Sequence, residues 1–264
     1  MMKKTIAVLF GGCSSEHEIS RLSAATILRN LSRDKYDVLS VGITKSGRWF
    51  LTKAAPEQVE NGEWENHPSN CQAFLTPDRS IHGLFLPASG ETVRVDAVIP
   101  ALHGKNGEDG TVQGLLQLSG IPYVGCAALA SAVCMDKAVS HTLLSAAGIG
   151  QAKYLWFYAS DYAEQAAQVR ERIASELGGY PVFVKPANAG SSVGVSRVDR
   201  GDDLDAAVAK AAHEDWRVVI EECITGREVE CAVLGNENPE AALVGEIGAS
   251  AAFYDYDDKY INGT

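Results

Sequence analysis

Residues 181–198, PVFVKPANAGSSVGVSRV, constrain this chain more than any other stretch. An apolar, β-branched run ends in Lys185, a loop of small residues follows, and a second strand-like run closes the segment. Strands joined by so short a loop lie antiparallel, because a parallel pair needs a crossover of a dozen residues or more. The loop 188–194, NAGSSVG, can bring bare backbone N–H groups close to an anion, with Lys185 as a positive charge at its edge. That chemistry suits a nucleotide triphosphate. The spacing is not GxxxxGK[ST], which excludes a P-loop. A glycine-rich hairpin with no ligand is the competing reading.

The rest of the chain divides by its periodicity. Residues 5–10 read as a buried strand, and Gly11-Gly12 as a turn. Ser15 and Glu18 have capping-box spacing, and Ser20, Ala24, Ile27, Leu28 and Leu31 fall on one helical face. With a second strand at 38–43, this is a parallel crossover unit. Residues 45–95 are punctuated by Gly, Pro and Asn and read as hairpins and loops. A strand at 97–102 leads into a glycine-rich loop, in which Asp109 can cap a helix over 111–118 that stops at Gly120. A short strand at 121–124 and a long helix over 128–147, closed by Gly148, follow. From residue 153 the order becomes strand 153–157, helix 161–177, strands 182–185 and 193–198, helix 203–213, and strands 217–221, 227–234 and 242–247. That pattern predicts an antiparallel sheet backed by helices. The expected class is α/β: a parallel-sheet domain over 1–125, an α+β part over 126–249, and a final piece, 250–264. The last piece has three tyrosines among three aspartates and reads as a chain cut short.

Composition matters mainly for what it excludes. A net charge of −11 argues against a nucleic-acid or anionic-membrane partner. No apolar stretch approaches the roughly 18–20 residues a bilayer span needs. The six-residue run after Lys3 and Lys4 is a first strand rather than a signal peptide. Six cysteines without CxxC pairing read as free thiols of a cytoplasmic protein. Glu16-His17-Glu18 resembles the start of HExxH, but Arg21 stands where the second zinc ligand belongs.

Four places carry candidate chemistry. Residues 103–110, HGKNGEDG, follow a buried strand and open a helix, at the end of a parallel sheet where ligands bind; a capped loop is the plain alternative. Glu16 is either a cap partner or a seat for a substrate ammonium. Lys137, on the long helix, is either solvated or aimed at a ligand. Glu221 and Glu222 end an apolar strand and can accept from adenine and ribose groups, with backbone through Ile224 reading the adenine edge; solvated acids are the alternative.

The set HGKNGEDGTVQG (103–114), MDK (135–137), VKPANAGSSVG (184–194), IEE with GREVE (220–222 and 226–230) and FYDYDDKY (253–260) resembles the D-alanine–D-alanine ligase family of ATP-grasp enzymes. The stretch 41–49 is also similar to the branch containing D-alanine–D-serine ligases. The resemblance implies a pre-ATP-grasp domain over 1–125 that binds substrate, an ATP-grasp central subdomain over 126–249, and a mobile active-site loop beginning at 250. It implies ATP and Mg²⁺ (or Mn²⁺) as cofactors. Lys137, Lys185 and Lys259 would contact phosphates, with Gly190 and Ser192 in the covering loop. Glu221 and Glu228 would bind adenosine, with Glu222 and Ile224 lining the adenine. Glu16 would hold the first D-alanine's ammonium beside His103, and Ser191 and Tyr260 would join Glu16 in a hydrogen-bonded catalytic set. Tyr260, rather than a histidine, favours an amine as second substrate over a hydroxy acid. A cytoplasmic homodimer is implied, acting on D-alanine and ATP for peptidoglycan synthesis. The family runs on for about one small domain's worth of further chain, which carries its metal ligands. The expectation is therefore no metal ligand here and no turnover by the 264-residue piece alone. The alternatives are a D-alanine–D-serine ligase, a non-catalytic ATP-binding remnant, and an α/β protein that binds a sugar or amino acid without ATP chemistry.

Overall fold

The computed structural model describes residues 3–247. Contacts divide the chain into two compact units: residues 1–149 with 187–190, and residues 150–186 with those from 191 onward.

The first unit is built on a five-stranded sheet. Strand β1 (Lys4–Gly11) pairs in parallel with β2 (Tyr36–Ile43) on one side and β8 (Ala97–Pro100) on the other. Beyond β2, strands β3 (Trp49–Thr52) and β4 (Cys71–Gln72) add antiparallel. The sheet is therefore parallel from β2 through β1 to the β8 edge and antiparallel toward the β4 edge. Both faces of β1 are covered, which is why its sequence is a continuous apolar run rather than an alternating one. Ala7 and Leu9 face a cluster with Val41, Leu84, Val98 and Leu116. Val8 and Phe10 face another with Ala24, Leu28 and Trp64. The crossover from β1 to β2 is α1 (His17–Asn30), whose predicted inner positions Ser20, Ala24 and Leu28 are buried.

The region 45–95 contains more than hairpins. Helix α2 (Pro56–Asn61) starts on a proline, ends at a left-handed Gly62, and packs on α1. Strands β5 (Phe74–Leu75), β6 (Gly83–Leu86) and β7 (Glu91–Arg94) form a separate antiparallel sheet. Helix α3 (Thr111–Ser119) ends at Gly120 as expected. The strand expected at 121–124 is only a bridge, Val98 to Tyr123. The long helix expected over 128–147 is two helices, α4 (Ala128–Met135) and α5 (Lys137–Ala146). They part at Asp136, whose φ/ψ of −84°/105° is extended and whose carboxylate accepts the Val139 N–H at 3.0 Å.

The second unit has a four-stranded antiparallel sheet in the order β11 (Ser196–Val198), β10 (Val182–Pro186), β12 (Arg217–Glu222), β9 (Tyr154–Tyr158). Helices α6 (Tyr162–Glu176) and α7 (Leu204–Glu214) share one core with the inward residues Leu155, Phe157, Val182, Val184, Val218 and Ile220. Hydrogen bonds from Tyr162 (2.6 Å) and Arg170 (2.8 Å) tie the two helices together at Asp205 and hold its carboxyl below the usual range. Strand β11 is shorter than the expected 193–198, because residues 191–194 form turns. The expected strand 227–234 is two short ones, β13 (Val229–Glu230) and β14 (Val233–Leu234). They pair with β16 (Gly245–Glu246) and β15 (Glu240–Ala241) respectively. Among the described residues no helix is long and apolar enough to cross a membrane.

Candidate active site

In the first unit, chemistry gathers where β1 and β8 end, on either side of the point at which the chain order reverses. Ser20 joins those ends: its hydroxyl accepts the Gly11 N–H at 2.8 Å and donates to the Ala101 carbonyl at 2.5 Å. The Gly12 N–H bonds the Ile43 carbonyl at 2.8 Å. The chain then turns into α1, and the capping box expected at Ser15 and Glu18 does not form. The helix starts one residue later, at His17; Glu16 occupies the N-cap position, and its side chain makes no capping bond. Ser14 fixes this entry instead, accepting the Glu16 N–H at 3.2 Å and donating to the His103 carbonyl at 2.8 Å.

Glu16 is therefore not a cap partner, and it is only 3% exposed. Its Oε2 lies against the backbone of Gly104, where any Cβ would collide with it and where φ is +67°. A Cβ on Gly190 would stand 3.0 Å from the same oxygen. Two loops distant in sequence thus meet on one carboxylate, and only residues without side chains permit the approach.

His103 opens the 103–110 loop, with Nε2 at 2.8 Å from the Ser23 hydroxyl and Nδ1 at 3.9 Å from Glu108. The loop's acids serve its own backbone. Glu108 accepts the Gly104 N–H at 2.7 Å, and Asp109 accepts those of Asn106 (2.8 Å) and Thr111 (3.0 Å). Asp109 meets the first N–H of α3 from one residue outside the N-cap, which is Gly110. A cavity of about 280 Å³ opens beside this loop, between Gly12, Trp49, His103 and Val112.

Lys137 is the first residue of α5 rather than a mid-helix lysine. Its N–H bonds the Ala187 carbonyl at 2.9 Å, its Nζ donates to the Ala189 carbonyl at 2.6 Å, and Asp136 bridges Asn188. The first half of the glycine loop is in this way stitched to the α4–α5 break.

In the second unit the strand alternation that turns Val182 and Val184 inward puts Lys185 on the opposite face, with Phe183 and Glu221. Lys185 Nζ is 2.5 Å from Glu221 Oε2 and 5.6 Å from the Phe183 ring centre. Glu222 is committed locally: its carboxylate accepts the Lys153 N–H at 2.7 Å, and its own N–H bonds the Lys153 carbonyl. Ile224 is 64% exposed, and Glu228 is exposed with its carbonyl bonded to the Ile247 N–H. Ser191 and Ser192 have φ of 48° and 60°, a left-handed conformation that costs a residue with a side chain about 1–2 kcal/mol. Lys259 and Tyr260, with the expected piece 250–264, lie outside the described residues.

The D-ala D-ala ligase N-terminus family model matches residues 5–126, and the D-ala D-ala ligase C-terminus model matches 143–264. The D-alanine–D-alanine ligase of Caldicellulosiruptor bescii is 47% identical over 100% of this chain and 72% of its own length. The chain belongs to the D-alanine–D-alanine ligase family. Another relative of that name, from Acetivibrio thermocellus, is 46% identical over 99% of this chain and 73% of its own. Among solved structures, the VanG D-Ala:D-Ser ligase from Enterococcus faecalis superposes with a TM-score of 0.86 at 42% identity, covering 98% of this chain and 74% of that one. The D-alanine–D-alanine ligase from Coxiella burnetii gives 0.83 at 37%, over 93% and 71%.

Three supporting residues of this ligase-family chain escape a reading by motif. Asp136 carried a signal, since an aspartate just before an amphipathic run is a common N-cap. Ser14 and Ser23 carried none, because nothing local shows that they reach His103 across about eighty residues.

Proposed function

We propose that the site in this chain serves ATP-dependent ligation of two D-alanines. ATP phosphorylates the carboxylate of the first, giving ADP and an acyl phosphate. The amine of the second attacks the acyl carbon, phosphate leaves with the broken C–O bond, and D-alanyl-D-alanine results, a peptidoglycan precursor. One observation carries this reading. Glu16 is a buried carboxylate at the end of the parallel sheet, with glycine backbone from two loops against it. A carboxylate withdrawn from water is a strong seat for a substrate ammonium, because their attraction grows as the local dielectric falls.

The other roles follow the chemistry of the side chains. Lys137 and Lys185, with Lys259, neutralise the triphosphate so that a carboxylate can approach it. Gly190 and Ser192 cover the phosphates, and Glu221 and Glu228 hold the adenosine. The Glu222–Ile224 backbone lines the adenine, and the local commitment of the Glu222 carboxylate supports a backbone role there. His103 stands beside the first substrate, and Ser191 and Tyr260 complete the set around Glu16. The covering loops keep water from the acyl phosphate. Mg²⁺ (or Mn²⁺) accompanies ATP in this family. Among the described residues no group of three or more His, Cys, Asp or Glu is placed to hold a metal ion, and the positive charge they bring to the phosphates is that of the lysines. The chain is read as a cytoplasmic homodimer, with 1–125 as the substrate-binding domain, 126–249 as the ATP-grasp central part and 250–264 as the start of the active-site loop segment.

The test is D-alanine-dependent ADP release by the protein expressed from its own reading frame, with the dipeptide identified by mass. Nucleotide binding without ADP release on any D-amino acid would instead establish a non-catalytic ATP-binding protein. The similarity to a D-Ala:D-Ser ligase favours D-serine as an alternative second substrate. Competition between equimolar D-alanine and D-serine decides between them by product mass.

A further inference from the structure

His17 follows Glu16 directly, is 2% exposed, and has no part in the reaction as described so far. Its Nδ1 lies 2.8 Å from the Gly12 carbonyl, and its Nε2 lies 3.6 Å from Glu65 Oε1. A carbonyl can only accept, so Nδ1 carries a proton in this contact. The ring also packs on Gly11, where an added Cβ would stand 3.0 Å from His17 Cε1. Gly11 and Gly12 are already anchored by Ser20 and by Ile43. His17 supplies the remaining link, from this turn to the first residue of α1. Between the two ends of that link run only Cys13, Ser14, Ser15 and Glu16. The position of the Glu16 backbone is thus fixed from both sides, by Ser14 before it and by the His17 ring after it.

We propose that His17 is a positioning residue: its Nδ1–H bond to the Gly12 carbonyl holds the Glu16 carboxylate where the substrate ammonium meets it. The proposal rests on the reading of Glu16 as the ammonium seat. Without the donor, the Gly12 carbonyl loses its partner in a partly buried place, and the start of α1 is free to shift. A shift of even 1 Å in a substrate-positioning group is enough to lower affinity. The effect falls on the first D-alanine and not on ATP.

The experiment compares H17L, H17N and H17Q with E16Q, reading KM for D-alanine at the first subsite, KM for ATP, and thermal midpoint. Asparagine keeps an N–H donor near the place of Nδ1, glutamine moves it one bond away, and leucine removes it. H17L is expected to raise KM for D-alanine about tenfold with ATP KM unchanged, and H17N to restore most of that loss. If H17L does not fold, H17Q takes its place and is expected to be defective where H17N is not. Wild-type kinetics in H17L, equal rises in both KM values, or H17N no better than H17Q would each overturn the proposal. Unchanged D-alanine KM in E16Q would overturn the ammonium-seat reading beneath it, whatever the His17 variants do.

Discussion

Glu16 in the first unit and Lys185 in the second are both charged and both largely withdrawn from solvent, yet their surroundings are of opposite kinds. At Glu16 backbone comes close, with Gly104 and Gly190 closing on its oxygen and the Ser14 hydroxyl fixing its amide. Lys185 faces another side chain, the Glu221 carboxylate at 2.5 Å, across neighbouring antiparallel strands. The first arrangement is a rigid socket whose shape is set by residues that lack side chains. The second is a pair of charges that a polyanion can rearrange, since an incoming triphosphate competes with Glu221 for the same ammonium. A site that must recognise a small ammonium gains from fixed geometry. A site that must load and release a triphosphate gains from an exchangeable partner.

This contrast breaks most readily at Gly104. G104A is expected to destabilise the protein by about 2–5 kcal/mol, the sum of a left-handed backbone cost and overpacking against Glu16. Urea midpoints measure it, and D-alanine affinity should fall with them. A loss under about 1 kcal/mol would mean the socket is soft, because surface substitutions fall in that range. The second-largest effect is expected at Lys185. K185M should cost about 1–3 kcal/mol by removing the charged hydrogen bond to Glu221, and should abolish thermal stabilisation by nucleotide. Adding E221Q should restore stability without restoring nucleotide binding, and recovery of both would sink the exchange picture. The smallest effect sharpens the contrast from the loop side. D109A removes the acceptor of two backbone N–H groups and should cost about 1–2 kcal/mol, comparable to losing a helix cap. D-alanine affinity should change more than nucleotide affinity, because Asp109 shapes only the loop that carries His103 and Gly104.

Much of this molecule was legible from local pattern. The buried run at 5–10, the helical face from Ser20 to Leu28, and the apolar strand at 182–185 each appear where the local pattern puts them. The motif glycines were legible too, although their reason was not: Gly104 is required by a carboxylate eighty-eight positions upstream in the chain. The split of residues 128–147 at Asp136 has no Pro or Gly to mark it, and its one local signal is the N-cap preference of the aspartate itself. The Lys137 N–H finds its partner on Ala187, about fifty residues on. The capping box at Ser15 failed for a similar reason, because Ser14 bonds outward to the His103 carbonyl and the helix starts at His17.

Sequence alone determined which residues carry charge, where the chain can be strand or helix, and the family to which it belongs. Hydrophobic period, backbone propensity and motif order are all properties of neighbours along the chain. Only the tertiary structure decided that Glu16 is enclosed rather than capping, that Lys137 begins a helix, and that Lys185 rests on Glu221. Those outcomes depend on which distant backbone groups arrive with an unfilled hydrogen bond or an open space, and no local pattern encodes that.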